Sequence, residues 1–354
     1  MSMSNHIGHE AVREALIAAN ASETVHHAYL FAGPRGVGKY HLARAFIAMV
    51  NCVGKAPTDG EGRRIDSCGS CRSCRRLLPD DLTAPNTHPD LLPLTLGEGE
   101  RALKIEAVRE VRRVVPFPPI EAAFRFVLID PAEALTPPAA NALLKVLEEP
   151  PSRTRFIVIS SQADALLTTI RSRCQRIAFS PLQDAEVARG LVERFDVDGP
   201  TASAAAAMAE GSLGAGLTLL DDPVMQERDT LLAALAELPP GAIRPAIELA
   251  NELAEHKASL RTLFDLLRRV YRDALLIRVG AESPLSLPRL KETISGPFAV
   301  RYGERALMLR LELIEETERG ILRRNLNLKV SLERLVIALT ALPGLEGART
   351  GVVP

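Results

Sequence analysis

No stretch of this chain approaches the ~18 consecutive apolar residues that a membrane-spanning helix needs. Its polar start also lacks a signal-peptide profile, so a cytoplasmic protein is expected. Excess charge is missing too: 43 Lys and Arg stand against 44 Asp and Glu, for a net charge of −1. That excludes a strong global field drawing the chain onto nucleic acid or membrane, and any DNA contact must be local or shared with partners. Cysteine is scarce, five in 354 residues, and three of the five lie too close together for comfortable pairwise disulfides. With 47% hydrophobic and 25% charged residues, the remainder is globular and long enough for two or three domains.

Residues Gly33-Pro34-Arg35-Gly36-Val37-Gly38-Lys39-Tyr40 match the phosphate-binding pattern G-x-x-x-x-G-K-S/T except at the end. Its glycines let backbone N–H groups approach phosphates, its lysine reaches the outer phosphates, and its final hydroxyl holds Mg²⁺. Tyr40 cannot do the last job, because a phenol on a rigid ring sits too far out to ligate a metal beneath the loop. The context is right: Ala28–Ala32 reads as a short buried strand, and Leu42, Ala45, Phe46, Met49 and Val50 recur at helical spacing afterwards. The competing reading is a glycine-rich turn between core elements. ATP or ADP can be held by Lys39 and the backbone amides, whereas turnover is not expected.

Cys68, Cys71 and Cys74 follow one another as C-x2-C-x2-C. In a reducing compartment such clustering indicates a metal, and Gly69 eases the tight turn. Three thiolates leave a tetrahedral zinc site one ligand short. Cys52 is the natural fourth ligand and His88 the alternative; four cysteines also suit an iron–sulfur cluster. A four-cysteine site spanning 52–74 would be structural and would pin residues 53–67, otherwise a loose loop. Arg63, Arg64, Arg72, Arg75 and Arg76 surround it, either to touch phosphates or as a solvated loop balanced by Asp80 and Asp81.

Phe124–Asp130 is an apolar run ending in an acid, the form of the second nucleotide-binding strand, whose aspartate supports Mg²⁺ or its water. Pro131 follows, and Glu133 lies three positions beyond the aspartate. Thr136 caps a helix that opens on Pro137-Pro138, buries Ala140, Leu143, Leu144 and Leu147, and stops at Pro150-Pro151. Strands at 156–161 and 176–179 complete an alternation that predicts a parallel sheet with helices on both faces. Lys104–Arg113 reads as an amphipathic helix with a basic side, whose start and cations such as Lys104 and Arg109 suit phosphate contacts without reading sequence. A solvent-facing helix laced with salt bridges explains the same residues.

Beyond Pro181, residues 182–220 are alanine-rich with the spacing of a small helical bundle, and Asp221-Asp222-Pro223 makes a boundary. Leu263, Leu266, Leu267 and Val270, then Leu307, Leu311 and Ile314, then Leu332, Leu335, Val336 and Leu339 form helical stripes. Arg268, Arg269, Arg323 and Arg324 read as solvated faces or inter-subunit contacts. The tail after Pro343 reads as disordered.

Taken together, His27–Phe31, the phosphate loop, the four cysteines, Asn141–Pro151 and Ser172-Arg173-Cys174 resemble the delta-prime family of bacterial DNA polymerase III clamp-loader subunits. The resemblance implies an AAA+ domain over 1–180 with an inserted zinc module, a helical lid domain over 181–221, a helical collar domain over 222–343 and a disordered tail over 344–354. It also implies a hetero-pentamer with tau/gamma and delta subunits that places the sliding clamp on primer–template DNA. In such a family Arg173 is the arginine finger offered in trans to a neighbour's ATP. The lid position that carries a sensing arginine in motor subunits corresponds to Gly214. With Tyr40 and Pro131, that makes three departures from a motor, so no ATP hydrolysis is expected from a chain that nonetheless serves a DNA-directed DNA polymerase. The other readings are an autonomous P-loop ATPase and a zinc-dependent DNA-binding protein.

Overall fold

The computed structural model describes residues 2–79, 87–97, 99–239, 241–283, 285–287, 290–324 and 326–341, with the side chains of 258 and 323 excepted. Asp80, Asp81 and the tail over 344–354 lie outside the described residues. The chain forms two compact units, Met1–Gly190 with Glu210–Gly214, and Leu191–Ala209 with Ala215–Pro354.

The first unit is built on five strands: β1 (Ala28–Ala32), β2 (Leu91–Thr95), β3 (Arg125–Asp130), β4 (Thr154–Ser160) and β5 (Gln175–Ala178). They pair in the order β2-β3-β4-β1-β5, every pair parallel. Parallel neighbours need crossovers, and α1 (Glu10–Ala21), α2 (Lys39–Val50), α3 (Arg72–Leu77), α4 (Ile105–Val114), α5 (Pro137–Glu148) and α6 (Thr168–Arg171) lie between the strands or before them. Strand residues alternate between two cores. Leu30, Val127, Ile129, Phe156 and Val158 pack with Val108 of α4 and Leu143 of α5. Tyr29, Phe31, Phe126, Leu128 and Ile157 pack with Leu16 of α1 and Phe46 of α2. Both faces are covered, so the strands read as continuous apolar runs. β2 escapes the sequence reading because Pro93 interrupts it, which an edge strand tolerates. Thr136 caps α5 as expected, its hydroxyl accepting from Ala139 N at 3.4 Å.

A buried ion pair organises the loop between α4 and β3. The Asp90 carboxylate accepts from the amides of Ile120, Glu121 and Ala122 at 2.8, 2.8 and 3.0 Å. Arg125 lies 3.3 Å from Asp90 and donates to the carbonyls of Val114, Phe117 and Pro118. Burial opposes the Asp90 charge, yet these amides and Arg125 hold its carboxyl below the usual range. An acid depressed in the folded state stabilises above its unfolded titration range and loses that contribution as pH falls through the folded value. Asp90→Asn should therefore cost roughly 3 kcal/mol at neutral pH, because Arg125 is left buried without its counter-charge. Denaturant titration should show the difference from wild type shrinking in acid.

The second unit is helical: α8 (Gly199–Met208), α9 (Leu213–Leu220), α10 (Pro223–Gln226), α11 (Arg228–Glu237), α12 (Ile243–Glu255), α13 (Leu260–Val279), α14 (Gly296–Arg301), α15 (Glu304–Arg324) and α16 (Leu328–Thr340). α7 (Asp184–Phe195) and the start of α9 fall across the division between the units. The stripes on α13, α15 and α16 meet in one core around Leu263, Leu267, Ile314 and Leu335. Arg268 and Arg269 are not a solvated face. Arg268 pairs with Glu318 and with Asp265, while Arg269 pairs with Asp265 at 2.9 Å and donates to the Ala207 carbonyl at 2.7 Å. These contacts consume both guanidinium groups inside the bundle. Arg324 is exposed, and the side chain of Arg323 lies outside the described residues. Among the described residues no helix is long and apolar enough to cross a membrane.

Candidate functional site

The phosphate loop runs from the end of β1 to the first turn of α2, as its strand–loop–helix context requires. Gly36 and Gly38 take positive φ of 76° and 100°, a region that side chains disfavour. Lys39 is buried, and its ammonium donates to the carbonyls of Gly33 and Pro34 at 2.6 and 2.5 Å. Burial lowers its pKa, partly offset by the charges of Asp130 and Glu133. Asp130 is thereby brought to the loop at the end of β3; burial pushes its carboxyl up, against the pull of Lys39. Tyr40 turns away, its hydroxyl accepting from Arg44 at 3.1 Å while Arg44 also holds the Leu77 carbonyl. Glu133 likewise turns to Ser161, accepting from its amide at 3.1 Å and from its hydroxyl. Burial opposes its charge, and those bonds keep its carboxyl below the ordinary range.

Two segments of the same unit close over this loop. Gly214 N donates to Gly36 O at 3.1 Å, and a Cβ on Gly214 would lie 3.2 Å from Gly36 Cα. A Cβ on Gly36 would meet Ser212 Oγ at 2.2 Å, whereas one on Gly214 would need Gly36 to give way only slightly. On the other side lies an amino-terminal arm. A Cβ on Gly38 would sit 2.8 Å from the His6 ring, and His9 Nε2 hydrogen-bonds Val37 O at 3.0 Å. Burial lowers the pKa of His9, favouring the neutral ring that such a bond can use.

The arm is tied down at Asp66, whose carboxylate accepts from Met3 N at 3.0 Å, Ser4 N at 2.9 Å and Ser67 N at 2.7 Å. Asp66 and Met3 are both buried. Burial works against the Asp66 charge, but these bonds and the Ser4 hydroxyl hold its carboxyl below the usual range. Sequence reading gave no signal for this contact, since 63 residues separate Asp66 from Met3.

Two residues past Asp66 begins the cysteine cluster. Cys52, Cys68, Cys71 and Cys74 place their sulfurs within 4.8 Å of one another, a set that could hold a metal ion. Sulfurs on one tetrahedral ion at Zn–S distances of about 2.3 Å would lie about 3.8 Å apart, and Cys68 and Cys74 are separated by 3.9 Å. Amides of Cys68, Cys71 and Cys74 donate to sulfurs of Cys52, Cys68 and Cys71 at 3.4, 3.3 and 3.4 Å. Against the effect of burial, such bonds hold the Cys68 and Cys71 thiols below their ordinary range, towards the thiolate that binds metal, whereas burial pushes Cys52 and Cys74 up. Gly69 has φ of 69°, and Gly54 is needed for contact, since a Cβ there would lie 2.6 Å from Cys68 Sγ.

His88 is not brought into the cluster. It is buried with Nε2 3.1 Å from Ser73 Oγ, and Nδ1 accepts from Asp90 N at 3.1 Å. The stretch over 53–67 is shaped by a Thr58–Arg64 bridge and by Ile65 N donating to Pro57 O at 3.1 Å. Four of the five arginines around the cluster are engaged: Arg63 with Asp59, Arg64 with the carbonyls of Met49 and Cys52, and both Arg72 and Arg76 with Glu121.

Arg173 stands apart from the loop, just after α6. Its guanidinium lies 2.8 Å from Glu148 and donates to the Thr169 carbonyl at 3.0 Å, with the side chain about one-third exposed. It lines an open groove of about 810 Å³ with His27, Leu147, Glu148 and Gln175. The neighbouring Cys174 thiol is pushed up to about 12 by burial, which makes it a poor nucleophile. Lys104, at the start of α4, and Arg109 are both exposed. Val108 and Val111 face the core from the same helix.

A family profile described as DNA polymerase III, delta subunit, matches residues 8–183. The delta' subunit of Pseudomonas aeruginosa DNA polymerase III is 31% identical over 324 residues, covering 90% of this chain and 93% of that protein. The delta' subunit of Bacillus subtilis is 28% identical over 332 residues, covering 93% and 95%. The tau subunit of B. subtilis is 28% identical over 311 residues, and the match takes in 81% of this chain and 52% of that subunit. The chain thus spans about half the length of that tau relative, and nearly all of the two delta' relatives. By sequence likeness over that span, the chain belongs to the delta-prime family of DNA polymerase III clamp-loader subunits.

Proposed function

We propose that the chain is a stator-like clamp-loader subunit that hydrolyses no ATP and lends Arg173 to ATP held by a neighbouring subunit. The observation that carries this reading is a contrast within one unit. The chain's own phosphate loop is engaged by Gly214, His9 and its own lysine, whereas Arg173 lies at an open groove. Tyr40 and Pro131, where a motor carries a hydroxyl and a glutamate, support the same reading.

In this reading the chain joins tau/gamma and delta subunits in a hetero-pentamer in the cytoplasm, which places the sliding clamp on primer–template DNA as part of the polymerase holoenzyme. Lys104 and Arg109 touch the DNA backbone. The AAA+ domain spans 1–180, the lid domain 181–221 and the collar domain 222–343. Cys52, Cys68, Cys71 and Cys74 hold one structural zinc ion, which supplies cross-linking and no chemistry. Their mutual closeness favours a single ion over an iron–sulfur cluster, whose irons carry separate thiolates.

ATP hydrolysis by the purified chain, with and without tau and delta, tests the reading. The chain alone should show no magnesium-dependent turnover, and addition of the partners should give DNA-stimulated turnover. Brisk hydrolysis by the isolated chain, abolished by Lys39→Ala, would make it an autonomous ATPase instead.

A further inference from the structure

Arg173 does not lie free in its groove. Its guanidinium is met at both terminal nitrogens: Nη2 lies 2.8 Å from a Glu148 carboxylate oxygen, and Nη1 donates to the Thr169 carbonyl at 3.0 Å. Both side chains project from fixed backbone. Glu148 is the last residue of α5, whose Leu143, Val146 and Leu147 are buried in the sheet core. Arg173 follows the last turn of α6, its N–H donating to the carbonyl of buried Ile170 at 3.2 Å. The pair itself is open to solvent, with Arg173 about one-third and Glu148 about one-half exposed. Its partners can therefore be exchanged by side-chain rotation alone, without moving either helix.

We propose that Glu148 is a positioning residue that restrains Arg173 until a neighbouring subunit presents its ATP. This role rests on the finger assignment proposed above and adds a residue that acts through it. A carboxylate and a terminal phosphate are both anions whose oxygens fit the guanidinium fork, so they compete for the same nitrogens. In the resting subunit the carboxylate holds Nη2. On closure Nη2 passes to a phosphate oxygen, and Glu148 is left facing solvent. The triphosphate carries several negative charges against one on Glu148, so a closely docked ATP wins the exchange and a loosely docked one does not. An exposed pair is weak, which suits a restraint that has to release. Turnover by loosely assembled states is held down as a result.

The test is ATP turnover by the complex reconstituted from this chain, tau and delta, with Glu148→Gln in place of wild type. Glutamine keeps the length and loses the charge. Without DNA, KM for ATP should fall about two- to fivefold, the range that exposed ion pairs span. The kcat with primed DNA and sliding clamp should stay at the wild-type value, because the restraint opposes docking and not the chemical step. Glu149→Gln, one residue further on and outside the groove lining, should change neither. In an Arg173→Ala background Glu148→Gln should have no effect. Both side chains are partly exposed, so thermal unfolding of the chain should not move. An unchanged KM or a lowered kcat in Glu148→Gln overturns the restraint while leaving the finger in place. A KM shift that persists without Arg173 means that Glu148 repels ATP directly, and overturns it as well. Wild-type turnover by Arg173→Ala overturns the functional reading itself.

Discussion

Arg173→Ala should lower ATP turnover by the reconstituted complex about 10³-fold or more, the scale on which trans arginines act in related phosphoryl transfers. That corresponds to roughly 4 kcal/mol of barrier or above, carried by a residue outside the subunit that holds the nucleotide. The chain itself should be indifferent to the change. Arg173 is partly exposed, and its pair with Glu148 is of the surface kind that contributes at most about 1 kcal/mol. Assembly, measured by gel filtration, should therefore survive while steady-state turnover collapses. Lysine should not rescue, because a point charge lacks the planar fork that grips two phosphate oxygens. Arg171→Ala is the matched control: it lies two residues away, pairs with Asp164, and should leave the rate unchanged. A complex that turns over normally with Arg173→Ala would remove the finger from this chain.

The second large effect is removal of the metal. Purified under reducing conditions, the chain should carry about one zinc ion, and Cys71→Ser should release it. Structural zinc in small peptides contributes ~10–16 kcal/mol, so few elements in the first unit should suffer more from one substitution. The loss should begin at the insertion, because Cys71 also caps α3 through Cys74 N. It should then reach the arm, since Asp66 sits two residues from Cys68 and holds Met3 and Ser4. Hydrogen exchange should show faster exchange over both 52–78 and 3–9, with the sheet protected. Asp66→Asn separates the two effects: it should free the arm while zinc stays bound. A chain purified without metal, yet equally protected in both segments, would refute a metal-built module.

Much of this was legible in the residues alone. The phosphate loop, the four cysteines and the α13, α15 and α16 stripes rest on short-range spacing, and each has the context it required. Cys52 rather than His88 completes the cluster because Ser73 and Asp90 occupy the imidazole. What escaped depends on distant partners. Asp66 and Asp90 look like loop acids in sequence and become anchors only when Met3 or residues 120–122 arrive beside them. Gly214 could be named as the place of a missing arginine, but its close approach to the phosphate loop is spatial: a Cβ there would lie 3.2 Å from Gly36 Cα. Arg268 and Arg269 read as solvated or inter-subunit cations until α15 and α8 come near. β2 was hidden by Pro93, which only an edge position allows.

The tie between Asp66 and Met3 also has a consequence for biosynthesis. Met3 and Ser4 leave the ribosome more than sixty residues ahead of the carboxylate that receives them. Residues 3 and 4 therefore lack this anchor until translation has delivered Asp66.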